Sequence, residues 1–487
     1  MSAAPPVREV AIVGAGFGGL GTAIRLKQSG LTDFVVLERA GALGGVWRDN
    51  AYPGAACDVQ SHLYSFSFAL NPDWTRSYSG QAEIWAYLER CAREFDLLPA
   101  IRFNHPVEAA VWDPAGHWRL QTPAGELRAR VLVMATGALS EPAVPDLPGL
   151  EQFAGPAFHS ARWPAGLDLS GRAVAVVGTG ASAVQFVPAI QPQVSRLTVF
   201  QRTPAWVLPR QDQSISPAAR QRYRRWPALL RLRRAGLAFT RELTVLAFQH
   251  PALMGLLEAT ARRHLAAAVA DPVLRAKLTP RYTIGCKRVL LSDDYYPALT
   301  QPNVDVVAAG VSAVRAHGVA AADGREYPAD VLIFGTGFQV TDLPFSHRVF
   351  GRAGRSLAEA WAGSPQAYLG TTVSGFPNLF ILQGPNTGLG HTSVLLMIEA
   401  QIEHLLGALR YQRGAGAVPL EPRPERQAAF AAEMDARLRG TVWLAGGCRS
   451  WYLDRTGRNS TLWPGTTWEF ARRLRRFQPG DYALTAG

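Results

Sequence analysis

The chain carries one glycine-rich pattern twice, each time between two short apolar runs. The first copy lies in residues 8–38 and the second in residues 172–202. Short continuous apolar runs are typical of parallel strands that are buried on both faces. A glycine turn between such a strand and a helix is typical of dinucleotide-binding units. Two of these units in one chain predict an α/β fold with two nucleotide ligands.

The first glycine turn has a physical reason for each of its main glycines. Gly14 allows the tight turn after the strand, Gly16 lets backbone N–H groups approach a pyrophosphate, and Gly19 lets the helix pack against the strand. The next strand ends at Glu38, whose carboxylate can accept hydrogen bonds from ribose hydroxyl groups. A glycine-rich turn without a ligand is the alternative, and the strand–turn–helix context favours the nucleotide site.

The second glycine turn differs from the first where a different nucleotide requires it. It contains Gly178, Gly180 and Ala183, and the strand after it ends at Arg202-Thr203 with no acidic residue. A guanidinium can bind a 2′-phosphate through two hydrogen bonds, whereas a carboxylate would repel it. This unit is therefore expected to prefer NADP to NAD, with a solvated surface arginine as the alternative for Arg202.

The amino-acid composition gives the chain a strong positive charge. The 487 residues carry a net charge of +12, and only three of the basic residues are lysines. Residues 216–245 are rich in arginine and predicted to be helical. The favoured interpretation is a solvated face of a helical insertion. An interfacial helix with weak contact to anionic lipid is the second, and nucleic-acid binding is the least favoured because no recognised module accompanies the charge.

The four cysteines lie far apart, without the spacing of a metal site or a local redox dithiol. This distribution predicts a protein with reduced cysteines and no metal.

No apolar run reaches the length of a membrane span, and no signal peptide precedes the first predicted strand. A cytoplasmic location is therefore expected.

Two further strings give the chain a family resemblance. Between the two units it reads Phe153-x-Gly155-x3-His159-x3-Trp163-Pro, and residues 44–58 read Gly-Gly-Val-Trp-x4-Tyr-Pro-Gly-x3-Asp. Together with both glycine turns, these strings resemble the type I Baeyer–Villiger monooxygenases, which use FAD, NADPH and O₂. Related N-hydroxylating monooxygenases usually carry another aromatic residue at the position of Trp163. The disulfide reductases share the overall plan, but the missing dithiol argues against them.

The resemblance implies specific roles for individual residues. Arg288 matches the active-site arginine and Asp58 lies near the flavin ring. The expected FAD contacts are Gly45, Trp47, Tyr64 and Val107. Lys287 matches a lysine that helps bind the NADP 2′-phosphate, and Trp451 matches a late tryptophan at the NADP. Phe153, Gly155, His159 and Trp163 form the linker fingerprint, and of these His159 and Trp163 would couple domain movement to cofactor binding without touching substrate.

The same resemblance implies two Rossmann-like domains and an activity. Residues 1–140 and 341–487 would form the FAD domain, and 141–340 the NADP domain, with a helical insertion at 209–285. The expected reaction converts a ketone to an ester or lactone through a flavin C4a-peroxide, with sulfide oxidation as a side activity. An N- or S-oxygenating monooxygenase is one alternative. A redox-sensing or nucleic-acid-binding flavoprotein scaffold is the alternative from a different class.

A histidine in a glycine-rich loop is a further candidate for an active-site residue. His391 lies in residues 384–393, before an apolar helix. A catalytic base is conceivable there, but a loop histidine that satisfies backbone groups or lies beside the flavin is favoured.

Overall fold

The computed structural model of the chain describes residues 5–484. The strands are β1 Val7–Val13, β2 Phe34–Leu37, β3 Ile101–Arg102, β4 Ala109–Asp113, β5 His117–Thr122, β6 Gly125–Met134, β7 Ala157–His159, β8 Ala173–Val177, β9 Arg196–Phe200, β10 Val207–Leu208, β11 Leu290–Leu291, β12 Val304–Val307, β13 Val311–Arg315, β14 Gly318–Ala321, β15 Glu326–Pro328, β16 Val331–Phe334, β17 Val349–Phe350, β18 Leu379–Ile381, β19 Leu420–Pro422 and β20 Tyr482–Leu484. The helices are α1 Phe17–Gln28, α2 Val46–Asp49, α3 Gln81–Glu94, α4 Ala181–Ile190, α5 Pro217–Arg225, α6 Pro227–Leu243, α7 Val245–Gln249, α8 Gly255–Ala268, α9 Pro272–Leu278, α10 Tyr295–Leu299, α11 Leu357–Trp361, α12 Val394–Gly414, α13 Pro424–Leu438, α14 Val442–Ala445 and α15 Thr467–Leu474.

The larger sheet combines parallel strands with an antiparallel extension. Its order is β17-β4-β5-β6-β1-β2-β3, and β18 also pairs with β6. β1 lies in parallel between β2 and β6, while β4, β5 and β6 pair antiparallel. The strands β17 and β18 come from the last third of the chain and add to a sheet built by the first third. Because β1 is central and fully buried at its end, the glycine turn after Val13 opens at the carboxyl edge of the sheet.

The smaller sheet has five parallel strands in the order β12-β9-β8-β16-β7. The second glycine turn follows β8 and leads into α4. A proline in this short helix would be expected to interrupt it, but Pro188 lies inside α4 and does not end it. The helix has only two more residues after Pro188, and a proline near a helix end disturbs few hydrogen bonds. The helix then stops before Pro192.

The linker fingerprint is part of the smaller sheet. β7 pairs in parallel with β16, and a Cβ atom on Gly155 would lie 2.0 Å from the carbonyl oxygen of Asp330, just before β16. Only glycine permits such a close approach of two backbones. Phe153 packs on the hydrophobic cluster beside this strand.

The other two fingerprint residues join β7 to its surroundings. The His159 side chain is buried, its Nδ1 atom accepts a hydrogen bond from the Ala161 N–H at 3.1 Å, and its ring packs edge-on against Phe338. The Trp163 ring packs against Phe186 of α4, with the ring centroids 5.5 Å apart. The fingerprint therefore holds β7 against β16 and against α4, the helix that follows the second glycine turn.

We expect Gly155→Ala to lower the free energy of unfolding by about 1–3 kcal/mol, the usual cost of overpacking, because the new methyl group meets backbone that cannot move alone. Thermal and urea denaturation of the purified protein measure the change. Gly236→Ala is the matched control: its Cβ meets nothing within 4 Å, and it lies within helix α6, where alanine stabilises. Equal stability of both variants would contradict the packing argument.

The helical insertion lies partly on the first third of the chain. The Leu237 and Ala238 side chains of α6 belong to the core cluster that contains β1 and α1. The Arg234 guanidinium donates to the carbonyl oxygens of Leu63 and Ser65, each at 2.8 Å. One side of α6 is therefore buried, whereas Arg231 and Arg233 lie on an exposed face, which agrees with the expected solvated face of the insertion.

Candidate active site

One cavity of about 1350 Å³ connects the carboxyl edges of both sheets. Most of the residues that the sequence predicts for the site line this cavity, namely Gly14, Gly16, Glu38, Gly45, Trp47, Asp58, Tyr64, Val107, Gly178, Gly180, Arg202, Thr203, Lys287, Arg288 and Trp451. Gly19, Ala183 and the four linker fingerprint residues lie outside the cavity lining. The structure thus places both glycine turns and the expected reactive residues around a single space.

The first glycine turn has a backbone shape that leaves no room for a side chain at Gly14 or Gly19. Gly14 has a φ of +104°, and a Cβ there would lie 2.7 Å from the carbonyl oxygen of Ala135. A Cβ on Gly19 would lie 1.8 Å from the carbonyl oxygen of Gly14. Gly16 is the N-cap of α1 and has no side-chain cap, so the first N–H groups of the helix face the cavity. This arrangement fits a pyrophosphate.

Glu38 is held in place by its neighbours while it faces the cavity. Its carboxylate accepts hydrogen bonds from the N–H groups of Ala15 and Ala40 at 2.8 and 3.0 Å, and from Arg48 at 3.1 Å. An ionised carboxylate offers about four acceptor positions, so one position is left for a ribose hydroxyl group.

Aromatic residues form another part of the cavity wall. The Trp47 Nε1–H donates to the Tyr64 hydroxyl at 3.0 Å, and the two rings pack edge-on at 5.6 Å. Burial raises the pKa of Tyr64, so its hydroxyl stays protonated. Gly45, with a φ of +54°, starts the short helix that carries Trp47, and Val107 lines the far end of the cavity. These surfaces are suited to the flat rings of FAD.

The second turn accepts alanine where the first requires glycine. Gly178 has a φ of +105°, and a Cβ there would lie 2.5 Å from the carbonyl oxygen of Gly335. The Ala183 Cβ lies 3.3 Å from the position of a Cβ on Gly335, where a glycine stands. The methyl group of Ala183 therefore has room because its neighbour Gly335 has no side chain.

A pair of cations lies beside the second turn. Arg202 follows β9, Lys287 approaches from the segment after α9, and neither forms an ion pair within residues 5–484. Desolvation, followed by repulsion from Arg202, lowers the pKa of Lys287, and its Nζ lies 5.2 Å from the centre of the Tyr282 ring. Thr203 lines the same part of the cavity. Two neighbouring cations without a carboxylate fit the 2′-phosphate of NADP.

The centre of the cavity carries one fixed ion pair. The Nε and Nη2 atoms of Arg288 lie 2.8 and 2.7 Å from Oδ2 of Asp58, and Nη1 donates to the Leu389 carbonyl at 3.3 Å. The charge of Asp58 raises the pKa of Arg288 despite the opposing effect of burial. Both side chains keep part of their surface, 31% and 26%, exposed. The result is a permanent cation in a fixed orientation at the cavity wall.

Two distant segments meet beside this ion pair. Cys286 and Cys448 form a disulfide bond, which joins the segment of Lys287 and Arg288 to the segment that carries Trp451. The expectation that all cysteines are reduced is therefore wrong for this pair, whereas Cys57 and Cys91 are free and buried. The two bonded cysteines are separated by 162 residues, so their spacing gives no signal in the sequence. Trp451 is 44% exposed and lines the cavity.

Residues that the sequence analysis missed connect the two nucleotide units. The Gln185 side chain of α4 accepts from the Ala56 N–H at 3.1 Å and donates to the Ala56 carbonyl at 3.0 Å, and the Tyr52 hydroxyl donates to it at 3.2 Å. A Cβ on Gly54 would lie 2.6 Å from the Gln185 carbonyl oxygen. The Tyr-Pro-Gly string thus docks the segment before Asp58 onto the second unit.

His391 does not face the reactants. Its side chain is fully buried, it does not line the cavity, and its Nε2 lies 3.4 Å from a carboxylate oxygen of Glu242 in α6. Glu242 also accepts from the Thr467 N–H at 3.0 Å. Burial acts to raise the pKa of Glu242, but the hydrogen bonds from His391 and Thr467 outweigh it and lower this pKa. His391 therefore anchors the loop to α6 and is not placed as a catalytic base.

Two dinucleotide cradles that open into one cavity, with a fixed arginine between them, define a flavoprotein oxidoreductase that takes electrons from a nicotinamide. The comparisons with known proteins narrow this class. A family model described as pyridine nucleotide-disulphide oxidoreductase matches residues 11–242. The chain is 56% identical to a Baeyer–Villiger monooxygenase of Streptomyces coelicolor over 98% of this chain and 92% of that protein. It is 48% identical to a Baeyer–Villiger monooxygenase of Pseudomonas aeruginosa over 98% of this chain and 91% of that protein.

The solved structures agree with these sequence relatives. The crystal structure of cyclohexanone monooxygenase from Rhodococcus sp. Phi1 bound to NADP⁺ superposes with a TM-score of 0.88 at 28% identity, over 99% of this chain and all of that one. The chain belongs to the Baeyer–Villiger monooxygenases, FAD- and NADPH-dependent enzymes that convert ketones to esters or lactones. Within residues 5–484, no helix is long and apolar enough to cross a membrane.

Proposed function

We propose that Arg288 is the catalytic cation of this enzyme and that Asp58 is the residue that positions it. The observation that carries this assignment is the Arg288–Asp58 ion pair in the wall of the cavity that both glycine turns share. Arginine keeps its proton at every physiological pH, so it acts through charge and hydrogen bonds and not as an acid. Asp58 adds a hydrogen-bonded counter-charge that fixes the direction of the guanidinium.

The cofactor assignments are part of the same proposal. The turn of Gly14 and Gly16, with Glu38, would hold FAD, while the turn of Gly178 and Gly180 would hold NADPH. Bound FAD would supply the redox chemistry that activates O₂, with NADPH as the source of electrons. The remaining expected FAD contacts are Gly45, Trp47, Tyr64 and Val107, and the remaining NADPH contacts are Arg202, Thr203, Lys287 and Trp451.

The protein side chains have three tasks in the reaction. The Arg288 guanidinium stabilises negative charge that develops on the oxygen atoms of the reactants, which is usually the largest single contribution to such catalysis. The Leu389 carbonyl and the Asp58 carboxylate hold the guanidinium, so that little reorganisation is needed as charge develops. The aromatic wall of Trp47 and Tyr64 would limit the access of water to the reacting atoms once the cofactors fill the cavity.

We also propose the domain division. Residues 1–140 and 341–487 would form the FAD domain, because β17 and β18 pair with strands from the first third of the chain. Residues 141–340 would form the NADP domain around the five-stranded parallel sheet. The insertion 209–285 would belong to the NADP domain in sequence while one side of α6 packs on the FAD domain.

A panel of cyclic, linear and aryl ketones tests the substrate class. We expect at least one ketone to yield an ester or lactone that is heavier by one oxygen atom, and ¹⁸O₂ to label that product. Mass spectrometry of the product is the measurement, because consumption of NADPH alone also reports unproductive formation of H₂O₂. A sulfide and an amine serve as comparison substrates. Oxygenation of these two with no ester from any ketone would favour the N- or S-oxygenating alternative and contradict the assignment.

A further inference from the structure

Helix α6 presents apolar side chains on two opposite sides. Its buried side consists of Leu230, Arg234, Leu237, Ala238 and Glu242. Its outer side carries large apolar residues that continue into α7 at spacings of three, four or seven residues, and seven is close to two helical turns. Their relative exposure is Leu229 43%, Leu232 70%, Phe239 52%, Leu243 52% and Leu246 50%. Steps of three and four place side chains on one face of a helix. The outer side is therefore a continuous apolar stripe.

The apolar stripe is held outward by the contacts on the buried side. Arg234 binds backbone carbonyl groups of residues 63 and 65, and Glu242 binds Thr467. These contacts fix the rotation of α6 about its axis, so the stripe cannot turn into the core. Scattered apolar residues at a surface are normal, but a contiguous exposed stripe on a rigid helix usually marks an interaction site.

Neighbouring elements carry further exposed apolar residues, one of which contacts the stripe directly. Trp226, between α5 and α6, is 53% exposed, and Leu253 and Leu256, which follow α7, are 56% and 75% exposed. Trp468 of α15 is 49% exposed, and its ring stacks on Phe239 with 5.9 Å between the ring centroids. We call this set of residues, with the stripe, the α6 surface.

The exposed charges within residues 216–245, which carry most of the α6 surface, are all positive. Arg222, Arg225, Arg231 and Arg233 are exposed, and none of them forms an ion pair within the described residues 5–484. The only carboxylate in residues 216–245 is Glu242, which is buried. An occupant of this surface must therefore combine apolar groups with negative charge.

The geometry points to an anionic lipid bilayer as that occupant, and we propose that the α6 surface docks this enzyme onto membranes of negative surface charge. Leucine, phenylalanine and tryptophan side chains would enter the interfacial region while the arginine head groups bind lipid phosphates. A second copy of this chain fits less well, because a two-fold contact through the stripe would bring like-charged arginines together. A nucleic acid would leave the apolar stripe without a partner.

Co-sedimentation of the FAD-loaded holoenzyme with sucrose-filled vesicles tests the proposal. We expect binding to phosphatidylcholine vesicles that contain phosphatidylglycerol, and at least ~10-fold weaker binding to pure phosphatidylcholine, because the arginines need a negative surface. Leu232→Glu should reduce binding to the anionic vesicles at least ~10-fold. In the absence of vesicles, this variant should oxidise ketones as the native enzyme does, because Leu232 is exposed and does not line the cavity.

Leu98→Glu is the matched control, since Leu98 is 44% exposed on a different part of the surface and the substitution changes the net charge equally. An equal loss of binding in both variants would show that only the overall positive charge attracts the vesicles, and would overturn the proposal. Absence of vesicle binding would overturn it as well. A dimer in light scattering that Leu232→Glu converts to monomers would assign the α6 surface to a second copy of the chain instead.

Discussion

Arg288→Ala should abolish ester formation while the reduction of FAD by NADPH remains measurable. Arg288 is the cation at the centre of the cavity, and its guanidinium is fixed by Asp58 and by the Leu389 carbonyl. Loss of one fixed donor to developing charge commonly costs ~10²- to 10³-fold in rate, and loss of a full charge should cost at least as much. Stopped-flow absorbance measures the flavin reduction, and mass spectrometry measures the ester. Unchanged ester yield would refute the catalytic assignment.

Three comparison variants separate the charge of Arg288 from other effects of its removal. Arg288→Lys keeps a positive charge but lacks the planar fork that binds Asp58, so we expect only partial recovery. The double variant Arg288→Ala with Asp58→Ala removes the carboxylate that the single variant leaves unpaired. If the double variant regains ester formation, the loss in the single variant came from Asp58. Arg262→Ala, at an exposed arginine paired with Glu258, controls for the loss of an arginine as such.

The same measurements test whether Asp58 acts by positioning Arg288. Asp58→Asn keeps a hydrogen-bond acceptor beside Arg288 but removes the charge that raises the arginine pKa. We expect a smaller loss of ester yield than in Arg288→Ala, with more of the consumed NADPH ending as H₂O₂. A loss equal to that of Arg288→Ala would instead show that the carboxylate itself takes part in the reaction.

The sequence predicts well what depends on neighbouring residues. The second strand of the first unit spans Phe34–Leu37 and stops just before Glu38, because four consecutive apolar residues define both its length and its burial. The functions of Gly14 and Gly19 could be stated from the pattern, since the strand–turn–helix geometry leaves no room for a side chain at either position. Local chemistry and local geometry suffice for such features.

The contacts between distant segments could not be predicted in this way. The Cys286–Cys448 disulfide joins residues that are 162 positions apart, and only the packing of α14 against the insertion brings them together. The Gln185 contacts depend on the relative position of the two nucleotide units. Neither the spacing nor the residue types of these positions carries a signal for a long-range contact.

The two sides of α6 show a different limit of sequence reasoning. Its pattern contains leucine on both sides, so helical periodicity alone does not tell which stripe is buried. Arg234 and Glu242 decide the matter, because both find partners on the buried side. Arg234 donates to backbone carbonyls of the first third of the chain, and Glu242 contacts His391 and Thr467. In a sequence, a buried arginine looks like any surface arginine. The buried side of this helix is therefore a result of tertiary structure.

Lys287→Ala and Arg202→Ala should each weaken the binding of NADPH far more than the binding of NADH. The two cations lie beside the second glycine turn without a carboxylate partner in the described part of the chain, and NADH lacks the 2′-phosphate that they would bind. A charged hydrogen bond contributes about 1.5–3 kcal/mol, so we expect the KM for NADPH to rise about 10- to 100-fold in each variant. The KM for NADH should change little. Steady-state kinetics with both nucleotides and a saturating ketone measures the ratio, and an equal loss for both nucleotides would refute the phosphate site.

The lowered pKa of Lys287 adds a pH dependence to this prediction. Only the charged lysine attracts a phosphate, and desolvation together with repulsion from Arg202 lets it lose its proton at a lower pH than a free lysine. The preference of the native enzyme for NADPH over NADH should therefore fall as the pH rises toward that lowered pKa. Lys287→Ala removes the titrating group and should flatten the decline. Lys27→Ala, at a partly exposed lysine that pairs with Asp96 and does not line the cavity, should leave it unchanged. A decline that persists in Lys287→Ala would mean that another group controls the nucleotide preference.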